Sequence, residues 1–253
     1  MTSSPRRVAL VTGSGRRRVG WYVADALAGR GYDVAVHYLS SDREAGETVD
    51  HLRGRGVEAE AFRADLADGR EAEGLVEQAL GRFGRIDVLV NCAAIWRPRR
   101  LEEVTADDVR RHFETNVLGT FLCARRAGLA MVERPEGGCI VNFGDWAEAR
   151  PYVDHAAYFA TKGAIPALTR CLAVELGTRN PRVRVNAVLP GPAMVPAEVP
   201  EEERGQIVES TLVRREGRPE NLAQAVIALV ENDFVTGTCL TVDGGRTIYA
   251  GGM

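Results

Sequence analysis

A tyrosine and a lysine stand four apart in Tyr158-Phe159-Ala160-Thr161-Lys162, a spacing that sets both side chains on one face of a helix. A neighbouring ammonium lowers the pKa of a phenol, which makes tyrosine a usable acid or base near neutral pH. Taken alone the pattern is common. Here, however, Lys162 is the only lysine among 32 basic residues, the rest being arginine. A position that keeps the compact ammonium calls for a point charge able to reach one oxygen. Thirteen residues before the tyrosine stands Asp145. An ionised carboxylate there accepts from ring N–H or amino groups, or relays a proton to Tyr158, whereas a neutral one donates to a carbonyl.

A second constellation is Thr12-Gly13-Ser14-Gly15-Arg16-Arg17-Arg18-Val19-Gly20. Its glycines let the backbone approach a pyrophosphate, and the helix opening at Val19 offers its positive end. Arg16 and Arg17 read equally as a solvated loop or as cations facing an anion. Further on, Val36-His37-Tyr38-Leu39-Ser40-Ser41 closes a strand without the carboxylate that commonly holds the ribose of NAD. Asp42 comes later and reads as a cap or as the start of the next helix. Tyr38, Ser40, Ser41 and the nearby arginines suit a 2′-phosphate, so NADP(H) is the expected cofactor.

These groups need elements to position them. Apolar, β-branched runs predict strands at Val8–Thr12, Asp33–Tyr38, Val57–Phe62, Ile86–Asn91, Cys139–Phe143, Val183–Leu189 and Cys239–Val242. Helical periodicity fills the intervals at Val19–Ala28, Asp42–Arg53, Arg70–Phe83, Asp107–Met131, Ala156–Leu176 and Glu220–Leu229. Strict alternation predicts an α/β fold: a single-domain, Rossmann-type doubly wound parallel sheet of about seven strands with helices on both faces. Residues 1–253 are expected to form one domain, with the cofactor part at about 7–145 and the catalytic helix and substrate lid at about 146–253. Pro190–Pro200, with four prolines, reads as a lid, and Glu201–Glu203 as a solvated helix start.

Composition excludes several classes. At 45% hydrophobic and 26% charged residues the chain is ordinary for a globular protein. A net charge of −3 argues against a nucleic acid or a membrane surface as partner. No apolar run approaches the roughly 20 residues of a membrane span. Met1–Arg7 is polar and leads straight into the first strand, so no signal peptide is expected. Five scattered cysteines without a C-x-x-C predict reduced thiols in a cytoplasm, and neither they nor the four histidines have metal-ligand spacing.

With these residues in view, the sequence resembles the classical short-chain dehydrogenase/reductase family over essentially its full length. The matches are the Thr12-Gly13 turn, Asp65-Leu66, Asn91-Cys92-Ala93-Ala94, Asn116, the Tyr158/Lys162 pair and Pro190-Gly191. The resemblance implies that Gly13, Arg18, Val19, Tyr38, Ser40, Ser41, Asp65, Leu66, Asn91, Ala93, Lys162, Pro190 and Gly191 bind the cofactor. It also implies that Asn116 steadies a relay water, that Asp145, Tyr158 and Lys162 are catalytic, and that the protein is a homotetramer.

Two departures sharpen the expectation. Most members carry a serine where this chain has Asp145, and a third glycine where it has Arg18-Val19-Gly20. Asp145, Arg18, the His37-Tyr38 strand end and the closing Val242-Asp243-Gly244-Gly245 are similar to the pteridine reductase branch. That likeness makes Trp96, Arg18, Asp145 and Tyr158 the substrate contacts. Trp96 either stacks on substrate or covers a loop, Trp146 lines the pocket or packs under it, and His155 reads as a surface or capping residue. Cys92 stands where the family has an asparagine, and reads as a packing substitution. The leading expectation is an NADPH-dependent reductase of a pterin-like nitrogen heterocycle. The alternatives are a carbonyl reductase of 3-oxoacyl thioesters, sugars or alcohols, and a nucleotide-binding module without turnover.

Overall fold

The computed structural model describes residues 6–196 and 198–249. Met1–Pro5, and Ala197 within the proline-rich loop, lie outside the described residues, so the reading of the polar N-terminus rests on sequence alone. Seven parallel strands form one sheet: β1 (Val8–Thr12), β2 (Asp33–Tyr38), β3 (Ala59–Arg63), β4 (Val88–Asn91), β5 (Gly138–Phe143), β6 (Val183–Pro190) and β7 (Cys239–Val242). Their order is β3-β2-β1-β4-β5-β6-β7. The chain therefore reverses its direction of winding at β1, which pairs with β2 on one side and with β4 on the other, Thr12 standing opposite Asn91. Such a switch point opens a crevice beyond the C-terminal strand ends.

The central strands β1 and β4 are apolar over most of their length because both faces are covered. On one face Ala9, Val11, Val88, Val90 and Val141 pack with Val23, Leu27 and Val226 from α1 (Val19–Ala28) and α8 (Pro219–Glu231). On the other, Leu10, Leu89 and Ile140 meet Leu75, Ala127 and Leu172 from α3 (Gly69–Phe83), α5 (Thr120–Val132) and α6 (Ala156–Gly177). Alternation within β4 is thus between two cores, with Leu89 pointing one way and Val88 and Val90 the other. Each buried side chain of this size stabilises the fold by about 1.5–3 kcal/mol. α2 (Asp42–Arg53) flanks the β2 edge, and α7 (Glu201–Glu209) follows the proline-rich loop.

The expected helix over Asp107–Met131 is present without a gap from Ala106 to Val132 but is not α-helical throughout. α4 (Ala106–Phe113) opens with a capping box at Thr105, then widens into a π-turn over Glu114–Gly119 before α5 begins. Gly119 lies where a Cβ would stand 2.5 Å from Leu66 O, so the helix passes close against the chain leaving β3. The backbone hydrogen bonds of the π-turn shift by one residue, and Asn116 stands in it, a common place for such a distortion. β3 and β4 also start two residues later than their apolar runs, because Val57, Ile86 and Asp87 belong to the approaches to the sheet.

Candidate active site

The glycine turn is built by close contact. Gly13 has φ +67°, and a Cβ there would stand 3.0 Å from Ala93 Cα; a Cβ on Gly20 would meet Gly13 O at 2.6 Å. His37 clamps the turn from β2. Its Nδ1 accepts the Gly13 N–H at 2.9 Å, and its Nε2 donates to Ala64 O at 3.1 Å. Burial holds this imidazole neutral, with a pKa lowered to about 4. His37 was read only as part of a strand end; its buried position beside a glycine turn was the available signal for a positioning role.

Arg16, Arg17 and Arg18 are exposed at the start of α1, and Arg17 lies over the Trp21 ring at 5.0 Å. Arg18 immediately precedes the helix, and its pKa is lowered by partial burial and by Arg16. Across the turn, Tyr38 Oη donates to Asp42 Oδ1 at 2.5 Å, so this carboxylate is engaged within α2. Ser40 is exposed and Ser41 half-buried beside them.

The other expected cofactor residues lie along the same edge of the sheet, in different states. Ala93 N–H is held by Thr12 Oγ1 at 3.0 Å. The Asn91 side chain turns inward and donates to Asn142 Oδ1 at 3.0 Å, and Asn142 donates to Thr169 on α6. Asp65 Oδ1 accepts from Ala67 N, while Leu66 is buried in the core. Pro190 and Gly191 end β6, and Gly191 N–H donates to Val242 O at 2.9 Å. Val19 packs against the core of the α1 face. Burial pushes the Cys92 thiol far up, as expected of a packing residue.

The chemistry gathers where β5 gives way to α6. The Tyr158 hydroxyl donates to Asp145 Oδ2 at 2.7 Å, and Asp145 Oδ1 accepts from Ala147 N–H at 2.8 Å. Lys162 is 4% exposed; its Nζ donates to Phe143 O at 2.7 Å and lies 5.7 Å from the Tyr158 ring centre. Burial lowers the lysine pKa to about 8. Contrary to the expectation of a lysine-lowered phenol, Tyr158 is raised well above the ordinary value, by burial and then by Asp145. Burial likewise raises the Asp145 carboxyl, against the pull of its hydrogen bonds and of Lys162. Burial thus favours the protonated forms, and Tyr158 stands as a proton donor.

Asn116, 1% exposed, ties this region together. It accepts from Ile95 N–H at 2.8 Å and donates to Ile95 O at 3.0 Å and to Thr161 Oγ1 at 3.1 Å. The π-turn thus joins the chain after β4 to the catalytic helix.

An aromatic wall stands beside the pair. Trp96, 48% exposed, stacks on His155 with ring centres 4.7 Å apart and planes at 17°. His155 occupies the N-cap position of α6 without a side-chain cap bond and is buried rather than on the surface, hydrogen-bonded to Val153 O and backing the tryptophan. Tyr152 meets both His155 and Phe159 edge-on. Trp146 is buried in a cluster with Tyr158 and Phe159, and the Arg246 guanidinium lies 4.4 Å from its ring centre. Arg246 carried no sequence signal, since it is remote from the site in the chain.

A parallel sheet with its chemistry gathered at the C-terminal edge, on a helix-borne tyrosine, is the plan of a Rossmann-type oxidoreductase. Comparison with known proteins narrows it. A family model described as enoyl-(acyl carrier protein) reductase matches residues 14–247. The 3-oxoacyl-[acyl-carrier-protein] reductase FabG of Staphylococcus aureus is 34% identical over 244 residues, covering 94% of this chain and 96% of that one. Acetoin dehydrogenase YohF of Salmonella typhimurium superposes with a TM-score of 0.87 at 33% identity, covering 96% and 98% of the two chains. A blue fluorescent protein from a metagenomic library, solved in complex with NADPH, gives a TM-score of 0.87 at 37% identity, covering 95% and 97%. The chain belongs to the classical short-chain dehydrogenase/reductase family. No described helix is long and apolar enough to cross a membrane.

Proposed function

We propose that this protein is an NADP(H)-dependent carbonyl reductase acting on a small carbonyl compound. The observation that carries the reading is the Tyr158–Asp145 hydrogen bond beside the buried Lys162, with burial raising the pKa of both acids and so favouring their protonated forms. A neutral carboxyl donates to a carbonyl oxygen, as the family's serine does, whereas a carboxylate would repel it. The FabG and acetoin dehydrogenase relatives support the same class of substrate.

The glycine turn fits the cofactor. Gly13 and Gly20 let the turn pack closely against Ala93 and against itself, the exposed arginines precede α1, and Ser40 and Ser41 stand at the end of β2 with the next carboxylate, Asp42, held by Tyr38. Gly13, Arg18, Val19, Tyr38, Ser40 and Ser41 would hold the adenosine phosphates. Asp65, Leu66, Asn91 and Ala93 would line the adenine and the crevice, and Lys162, Pro190 and Gly191 the nicotinamide half. When bound, the nicotinamide supplies the hydride. Tyr158 gives its proton to the carbonyl oxygen as negative charge develops there. Lys162, largely protonated at neutral pH, steadies the phenolate left behind. Asp145 orients the oxygen and returns a proton to the tyrosine. Asn116 is a positioning residue, since its amide is committed to Ile95 and Thr161.

A pterin-like heterocycle is the second reading, supported by an acid at position 145 and by the half-exposed Trp96. Residues up to about 145 would serve the cofactor and the remainder catalysis and the lid, in a cytoplasmic homotetramer such as the family resemblance implies. NADPH oxidation with diacetyl, acetoin, 3-oxoacyl thioesters and a dihydropterin separates the readings. Turnover of the carbonyl compounds is expected, and turnover of the dihydropterin alone would overturn the carbonyl assignment.

A further inference from the structure

Two arginines come together behind Trp146, and among the described residues neither is paired with a carboxylate. Arg246 lies 4.4 Å from the ring centre of Trp146, the residue next to Asp145, and Trp146 itself packs with Tyr158. Arg150, on the loop after Trp146, donates from Nη1 to Arg246 O at 2.7 Å and also to Tyr249 O. Among the described residues neither guanidinium forms a salt bridge, although 15 other arginines and histidines do so, most of them on the open surface.

The acids nearest Arg246 are otherwise engaged. Asp145 is bonded to Tyr158 and Ala147. Asp243 accepts from Gly245 N, Thr247 N and Thr247 Oγ1, and by folding the turn after β7 it places Arg246 over the tryptophan. Partial burial, and after it the proximity of Arg150, oppose the positive charge on Arg246 more than Tyr152, Asp145 and Asp243 favour it, and its pKa is lowered. Stacking on an indole offsets part of that cost, and among the described residues the guanidinium's donors are matched by no salt-bridging anion. A planar fork of donors held on the Trp146 ring, one side chain away from Tyr158, is suited to a carboxylate or phosphate.

We infer that Arg246, with Arg150 beside it, forms an anion subsite, and that the substrate is a small oxo acid whose carboxylate binds there while its carbonyl faces Tyr158. The inference rests on the carbonyl-reductase reading and names its substrate class. Arg246 selects by charge; it takes no part in the proton transfer.

The test uses matched pairs that differ only in charge: acetoacetate with methyl acetoacetate, and pyruvate with methyl pyruvate. Parent, Arg246→Met and Arg246→Lys are compared by NADPH oxidation. Methionine keeps an apolar cover on Trp146, and lysine keeps the charge without the fork. The parent is expected to prefer an acid over its ester in kcat/KM. Arg246→Met should raise KM for the acid at least tenfold, with kcat and the ester's KM within about twofold, and Arg246→Lys should fall between. A parent that prefers both esters, or a variant that loses acid and ester equally, overturns the subsite. If no carbonyl compound turns over, the carbonyl reading itself fails. Calorimetric titration of the NADPH-bound protein with acetoacetate and pyruvate then decides the subsite alone: binding weakened tenfold by Arg246→Met sustains it, and absent or unchanged binding refutes it.

Discussion

The Gly13 N–H donates to His37 Nδ1 at 2.9 Å, so the glycine turn is pinned to β2 by an imidazole whose other nitrogen is bound to Ala64 O. Only the neutral tautomer with the proton on Nε2 makes both bonds. The pKa of His37 in the fold is about 4 against 6.5 unfolded. Between these values the unfolded chain binds a proton that the folded one refuses. His37's contribution to stability is therefore complete above pH 6.5 and is lost as pH falls toward 4, by up to about 3 kcal/mol. Urea unfolding at pH 7 and pH 5 should show a larger loss in the parent than in His37→Asn, which cannot take up the proton. Equal losses would remove His37 from the account.

Tyr158→Phe removes a proton and little contact area. Turnover should fall by about 10²–10⁴ while NADPH binding, followed by fluorescence, stays nearly intact. Lys162→Arg should be comparably severe despite its conserved charge, because a guanidinium is too broad for the buried place where Nζ meets Phe143 O. Near-normal activity in Lys162→Arg would show that the lone lysine is incidental.

Asp145 should reveal its protonation state in the pH profile. Burial raises its pKa from the ordinary aspartate value, so a neutral donor is lost as pH rises through the raised pKa, and kcat/KM for carbonyl reduction should fall with it. Asp145→Asn, neutral at every pH, should lack that limb. Asp145→Ser should retain or improve carbonyl reduction and lose any dihydropterin reduction. Strong loss of carbonyl activity in the serine variant, with pterin activity kept, would reverse the assignment.

Cofactor choice should follow the acid-free end of β2. NADPH is expected to bind at least about tenfold more tightly than NADH, as one charge-assisted phosphate contact contributes about 1.5–3 kcal/mol. Ser40→Asp should narrow or reverse that preference in parallel titrations. Equal affinities in the parent would dismiss the 2′-phosphate reading.

Local pattern decided most of the scaffold. β1, β2 and β7, with α1 and α2, begin and end where apolar runs, turn residues and helical spacing placed them, because those signals act over a few residues. Tyr158 and Lys162 were legible for the same reason: four residues on a helix fix a shared face, and a lone lysine marks itself. Tertiary contact decided the rest. The π-turn in the helix around Asn116 answers to Ile95 and Thr161, which lie 21 and 45 residues away. Burial reversed the expected direction of the Tyr158 pKa, since the cost of charge in a closed site outweighs a cation directed at Phe143 O. His155 became the backing of Trp96, and Arg246 reached Trp146 across a hundred residues of chain, by close packing of distant segments. Sequence spacing carries the chemistry of neighbours along one element, whereas charge burial and the meeting of separate loops exist only once the chain has folded around them.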